Sequence, residues 1–190
     1  MIFRLMAVLM TALTLSACGA PAPSDWKPDV GGLSEEVRGL SPAINPEEAT
    51  RLAQISFSYS QQLAREYNVT DPPLVHNAKV NRGTRPRGLC WHWADDLEKR
   101  LRQENFQSVQ FHRAIANTDN VRVEHSTVIV SAPGAAMEDG IVLDPWRYGG
   151  KLFWAPVVED TRYRWIPRQQ VFAEKKRRAE REDAVTRSRN

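Results

Sequence analysis

The chain has 190 residues, enough for one ordinary domain with appendages. At 42% hydrophobic and 26% charged it is globular in composition, which excludes both a disordered polymer and a chain buried in membrane along its length. The formal charge of +3 sits at the end: residues 168–190 carry eight Lys or Arg against four acids, so the preceding body stands at −1 and gives no reason to expect nucleic acid.

Arg4 precedes an apolar run over residues 5–15. A positive start and about a dozen apolar residues describe a secretory signal, too short to span a membrane. The run ends in Leu15-Ser16-Ala17-Cys18, which resembles the lipoprotein box of bacteria. The resemblance implies a signal peptide over 1–17, cleavage before Cys18, and acyl chains on Cys18 that tie the protein to the membrane. An ordinary signal peptide with a chance cysteine is the alternative. Gly19 follows where an inner-membrane retention signal has aspartate, so the expected place is the outer membrane, facing the periplasm. Residues 18–43, with Pro21, Pro23, Pro28, Gly31, Gly32 and Pro42, read as a lipidated cysteine and flexible tether.

Helical signals begin at Asn45-Pro46-Glu47-Glu48: a capping side chain, proline at the first helical position, and two acids in the first turn. Ala49, Leu52, Ser56, Tyr59, Leu63 and Tyr67 then recur at spacings of three and four, predicting one long amphipathic helix. Residues 68–89, holding Pro72-Pro73 and an Arg-rich, Gly-containing run, read as loop. A second helix starts at Cys90, with Cys90, Trp93, Ala94, Leu97 and Leu101 on one stripe. Cys90 falls in the first turn, where unpaired N–H groups and the positive dipole end favour a thiolate and can hold an oxyanion. The plain alternative is a small buried hydrophobe.

The period then changes to two. Strands are expected over 109–114, 121–130 and 140–144, the last stopped by Pro145, with two more over 151–158 and 162–166. Helices followed by an antiparallel sheet, with no βαβ repeat, predict an α+β domain over 44–167, in which one N-terminal helix carries a cysteine at its start. Residues 168–190 read as a polar, partly helical, basic tail with no apolar face.

Lipidation of Cys18 leaves Cys90 without a partner in an oxidising compartment, which marks it as a reactive thiol. With a hairpin loop centred near Gly134 and Ala135, His125 falls opposite Asp144 and Thr127 opposite Val142, on one sheet face. A carboxylate beside a histidine orients the ring and stabilises its protonated form. A helix-borne cysteine packed onto that face completes nucleophile, base and orienter.

Gly88-Leu89-Cys90-Trp91-His92-Trp93-Ala94 resembles the nucleophile motif of the transglutaminase and papain-type cysteine enzymes. A strand-borne His125 followed by Leu143-Asp144-Pro145-Trp146 is similar to the later motifs of the bacterial transglutaminase-like superfamily. The resemblance covers residues 76–150 and implies a catalytic triad of Cys90, His125 and Asp144, no cofactor, and acyl transfer through a thioester. Two departures stand out: Leu89 precedes the nucleophile where cross-linking members have Gln, and Ser126-Thr127 follow the histidine where an aromatic residue is frequent. Asn77, Asn81 and the indole of Trp91 are candidates for oxyanion or substrate contacts. His92 points away from Cys90 on the helix, and His76 and His112 lack partners at ligand spacing, so no metal site is expected.

The expected function is that of a lipid-anchored periplasmic thiol hydrolase or acyltransferase acting on a protein or peptide amide. The alternatives are a non-enzymatic binding or scaffold lipoprotein of the same fold, or a cysteine endopeptidase of the cell wall.

Overall fold

The computed structural model describes residues 22–118 and 124–188. The signal-like segment and Cys18 therefore lie outside the described residues, as do the first three positions of the strand expected over 121–130.

Helix α1 covers Val30–Gly39, capped by Asp29, whose side chain accepts from the Gly32 N–H at 2.8 Å. It lies inside the stretch expected to be tether and buries Leu33 and Val37 completely. Two glycines and Pro28 disguise it, because a helix of ten residues needs only one turn of apolar contacts to dock. Helix α2, Pro46–Glu66, is the long helix expected. The Asn45 side chain accepts from the N–H groups of Glu47 and Glu48 at 2.8 and 3.1 Å, satisfying two of the four unpaired first-turn donors.

Helix α3, Pro73–Asn81, replaces part of the expected loop over 68–89. Pro73 stands in its first turn, where a missing N–H costs nothing. Only Pro73 and His76 of this helix are buried, so no apolar stripe announced it. Helix α4, Cys90–Arg102, begins at the expected cysteine and buries Trp93, Ala94, Leu97 and Leu101.

The sheet has five strands in the order β4-β3-β2-β1-β5, all neighbours antiparallel: β1 Gln110–Ala116, β2 His125–Ser131, β3 Ile141–Asp144, β4 Phe153–Pro156 and β5 Ile166–Pro167. Helix α5, Arg168–Ser188, closes the described chain and buries only Val171. The α+β order expected from periodicity is therefore present.

Alternation along the strands assigns the two sheet faces. Phe111, Val128, Val130, Ile141 and Leu143 pack with Ala94, Leu97 and Leu101 of α4 and with α1 and α2. Ala114, Ala116, Ile129 and Val142 pack on the other face against Met137, Tyr163 and Trp165. The register differs from expectation by two residues: Ile129, not Thr127, faces Val142, and Val128 faces Leu143. A short helical turn at Met137–Asp139 moves the loop centre toward β3. A slip of one residue would have turned every side chain over; a slip of two leaves each on its face.

Candidate active site

The helix that carries Cys90 is aimed by its approach. Gly88 has φ +123°, and a Cβ there would run into the ring of His76, so only glycine fits. Arg87 clamps Asp96 of α4 with both oxygens, at 2.9 Å from Nη2. His92 at the third helical position accepts from the N–H groups of Gly88 and Leu89 through Nδ1, at 3.1 and 3.2 Å. Leu89 offers no capping side chain, so His92 does that work from inside the helix. Burial and the Arg87 charge hold the His92 ring below the usual histidine range, which preserves its acceptor lone pair.

Cys90 is half-buried, and its Sγ lies 3.4 Å from the carbonyl of Glu124, the residue before His125. Its N–H and that of Trp91 belong to the first turn and have no acceptor within the helix.

His125 opens β2 and Asp144 ends β3, both on the face turned away from α4. This corrects one expectation. The cysteine helix does not pack on the histidine face, because Val128, Val130, Ile141 and Leu143 give it an apolar bed on the opposite one, where Arg113 also pairs with its Asp95 and Glu98. Cys90 instead lies at the end of β2, its thiol donating to the carbonyl of Glu124, the residue before the histidine. His125 and Asp144 are likewise diagonal neighbours and not a facing pair. Even so, His125 Nε2 donates to Asp144 Oδ2 at 2.7 Å. That bond leaves Nδ1 as the basic nitrogen of the neutral ring, buried and without a hydrogen-bond partner.

Both groups are buried, the His125 side chain 2% exposed and Asp144 fully enclosed. Burial alone opposes charge on the imidazole, but the adjacent Asp144 carboxylate outweighs it, with a further contribution from Cys90, and the ring is pushed up to about 9. Asp144 is likewise driven down to about 2, against its burial, by His125 and Arg147.

Residues that periodicity did not mark complete the surroundings. Arg147 donates from Nε to Asp144 Oδ2 at 2.9 Å and from its backbone N–H to Oδ1 at 3.1 Å. Its other two nitrogens grip Asp160 at 3.0 and 2.6 Å, and the Trp165 indole also donates to Asp160. Trp146, Tyr163 and Trp165 surround the His125 ring, with centroids 4.6, 4.8 and 5.4 Å away. The one sequence signal was Asp144-Pro145-Trp146-Arg147, which sets a cation three residues after the acid.

A cavity of about 510 Å³ opens onto Cys90 and His125. Asn77, Asn81 and Trp91, singled out from the sequence, all line it. Asn77 Oδ1 accepts from the Trp146 indole N–H at 3.1 Å, which orients the amide and leaves its NH₂ group as a donor. Arg168 and Phe172 from α5 also line it, so the tail helix contributes to the wall. Among the described residues no cluster of three or more His, Cys, Asp or Glu is placed to hold a metal, and no helix is long and apolar enough to cross a membrane.

No family model matches the chain, and no curated protein or solved structure matches it.

Proposed function

We propose that this chain is a cysteine hydrolase or acyltransferase of transglutaminase-like fold, acting on a protein or peptide amide, with Cys90 as nucleophile, His125 as base and then acid, and Asp144 as orienter. The observation that carries it is the buried His125–Asp144 pair at 2.7 Å, set beside a helix-borne thiol at the mouth of a cavity.

His125, raised to about 9, already holds the proton drawn from Cys90, and in the first half-reaction the sulfur adds to the amide carbonyl carbon. The carbonyl oxygen becomes an oxyanion, for which the first-turn N–H groups of Cys90 and Trp91 and the Asn77 NH₂ are the candidate donors. Collapse breaks the C–N bond, His125 returns its proton to the leaving nitrogen, and a thioester remains. In the second half-reaction water or an amine adds to the thioester, His125 takes the proton and hands it back to sulfur. No cofactor enters. The lipobox-like sequence ending at Cys18 supports a site at a bacterial envelope membrane, on its periplasmic side.

Iodoacetamide alkylation, followed at the Cys90 peptide by mass spectrometry, tests the site. Cys90 should react at about pH 6–7 faster than a free cysteine, and His125→Ala should abolish the advantage. A rate that rises only above about pH 8, as for an unassisted thiol, would sink the enzyme and leave the scaffold lipoprotein. For the anchor, Cys18→Ser should release the protein from the detergent-dependent membrane fraction or leave it unprocessed; unchanged fractionation refutes lipidation.

A further inference from the structure

The mechanism above uses Asp144 but leaves Arg147 and Asp160 idle, although both are buried, with side chains 3% and 2% exposed. Their placement is not random: His125, Asp144, Arg147 and Asp160 follow one another in hydrogen-bonded contact, base, acid, base, acid. A buried charge without a counter-charge is costly. With His125 neutral, the line holds two carboxylates against one guanidinium. With His125 protonated it holds two of each.

We infer that Asp160, acting through Arg147 and Asp144, is a positioning residue that keeps the His125 imidazole in its protonated form, although its own hydrogen bonds go to Arg147, Trp165 and the Arg162 N–H. Aromatic walls make the line sensitive to its charge balance, since they exclude water that would otherwise screen it. The Arg147 guanidinium stands 3.6 Å from the Phe153 ring centre and 4.8 Å from that of Tyr163. The groups around His125 are few. Cys90 approaches from α4. The Glu124 carboxylate is tied outward to Lys175 at 2.5 Å. The Tyr163 phenol comes from the segment between β4 and β5, with Arg162 over its ring at 5.6 Å. Cys90 carries a negative charge only once its proton is on His125, and the Glu124 carboxylate is tied up by Lys175, so the second buried carboxylate of the line is Asp160. Loss of its charge would make the protonated line net positive, and His125 would give up its proton more readily.

The inference rests on the Cys90–His125–Asp144 site, but its test reads the ring and not the thiol. The chain has four histidines, and the His125 Cε1–H resonance is identified by its loss in His125→Gln. Titrated by NMR, Asp160→Asn should bring the His125 midpoint down by about one pH unit or more. Arg147→Lys, which keeps the charge but not the two-pronged grip, should leave the midpoint near that of the parent while lowering the melting temperature. An unchanged midpoint in folded Asp160→Asn overturns the inference. So does a shift that in both variants simply tracks lost stability. Should Asp160→Asn not fold, the Asp160 carboxyl carbon shift in the parent decides: it must report an ionised group throughout the His125 titration, and a protonated Asp160 near neutral pH overturns the proposal. A normal midpoint shift with an unreactive Cys90 would sink the enzyme and spare this inference; the reverse result would do the opposite.

Discussion

At the scale of single residues, the His125–Asp144 pair ties reactivity to stability. The folded ring is raised from 6.5 to about 9, so its contribution to stability is complete below about 6.5 and is lost as pH climbs through about 9. Asp144, lowered from 3.8 to about 2, contributes above about 3.8 and loses its share as pH falls through about 2. Melting temperatures of the parent should therefore decline on the alkaline side between these two histidine values, and Asp144→Asn should flatten that decline. The same substitution should cost about 3–5 kcal/mol near neutral pH, because it removes one partner of a buried ion pair. It should also slow Cys90 alkylation, since an amide supplies no charge to the imidazolium. An Asp144→Asn protein that kept both the thiol rate and the alkaline slope would show that the pair is only packing. Gly88 makes a second residue-level case. Gly88→Ala places a Cβ against His76 at a positive φ, and a loss of about 1–3 kcal/mol is expected in denaturant titration.

Elements show which parts of the fold were legible beforehand. Helix α2 announced itself through Asn45-Pro46 and an apolar stripe, and α4 through the spacing from Cys90 to Leu101. The first three strands were visible, and alternation also put His125 and Asp144 on one face, but the strand expected over 162–166 is irregular chain as far as Trp165, with β5 only at Ile166–Pro167. Their register was not visible, because a turn of helix at Met137–Asp139 has no periodic signature. Nor was the face that α4 would choose, which depends on how apolar the two sides of the finished sheet are. Helices α1 and α3 escaped because glycine and proline pairs mask elements this short. Arg147 and Asp160 escaped for a different reason: a buried ion pair across irregular chain leaves no pattern in either partner. The N-terminus of α4 carries its own prediction. His92 caps only while Nδ1 is unprotonated, and its pKa is depressed, so its contribution is present above about 6.5 and is lost as pH falls. His92→Gln keeps an acceptor that does not titrate and should remove that acid-side loss from the melting curve. His92→Ala should cost about 1 kcal/mol at every pH above it.

Across the whole molecule, the site is assembled from distant pieces of chain. Cys90 comes from the helical layer, His125 and Asp144 from the far side of the sheet, and part of the cavity wall from α5. That last helix is held by buried Val171, by the Lys175–Glu124 bridge, and by Arg168 at 3.7 Å from Asp95. Its later turns are exposed on all sides. Removing residues 177–190 should thus leave the melting temperature within about 1–2 °C of the parent, as for surface changes generally. Removing residues 168–190 should lower it clearly and speed entry of bulky thiol reagents to Cys90. Equal behaviour of the two truncations would show that the first turns of α5 do not belong to the site.

The aromatic ring around His125 has an optical consequence. A protonated imidazole accepts an electron from an excited indole far more readily than a neutral one, and Trp146 and Trp165 lie 4.6 and 5.4 Å from it. Those two of the six tryptophans should be dark while His125 holds its proton and brighten once it is lost. The emission of the unlabelled protein thereby becomes a gauge of the histidine, usable in a stopped-flow pH jump.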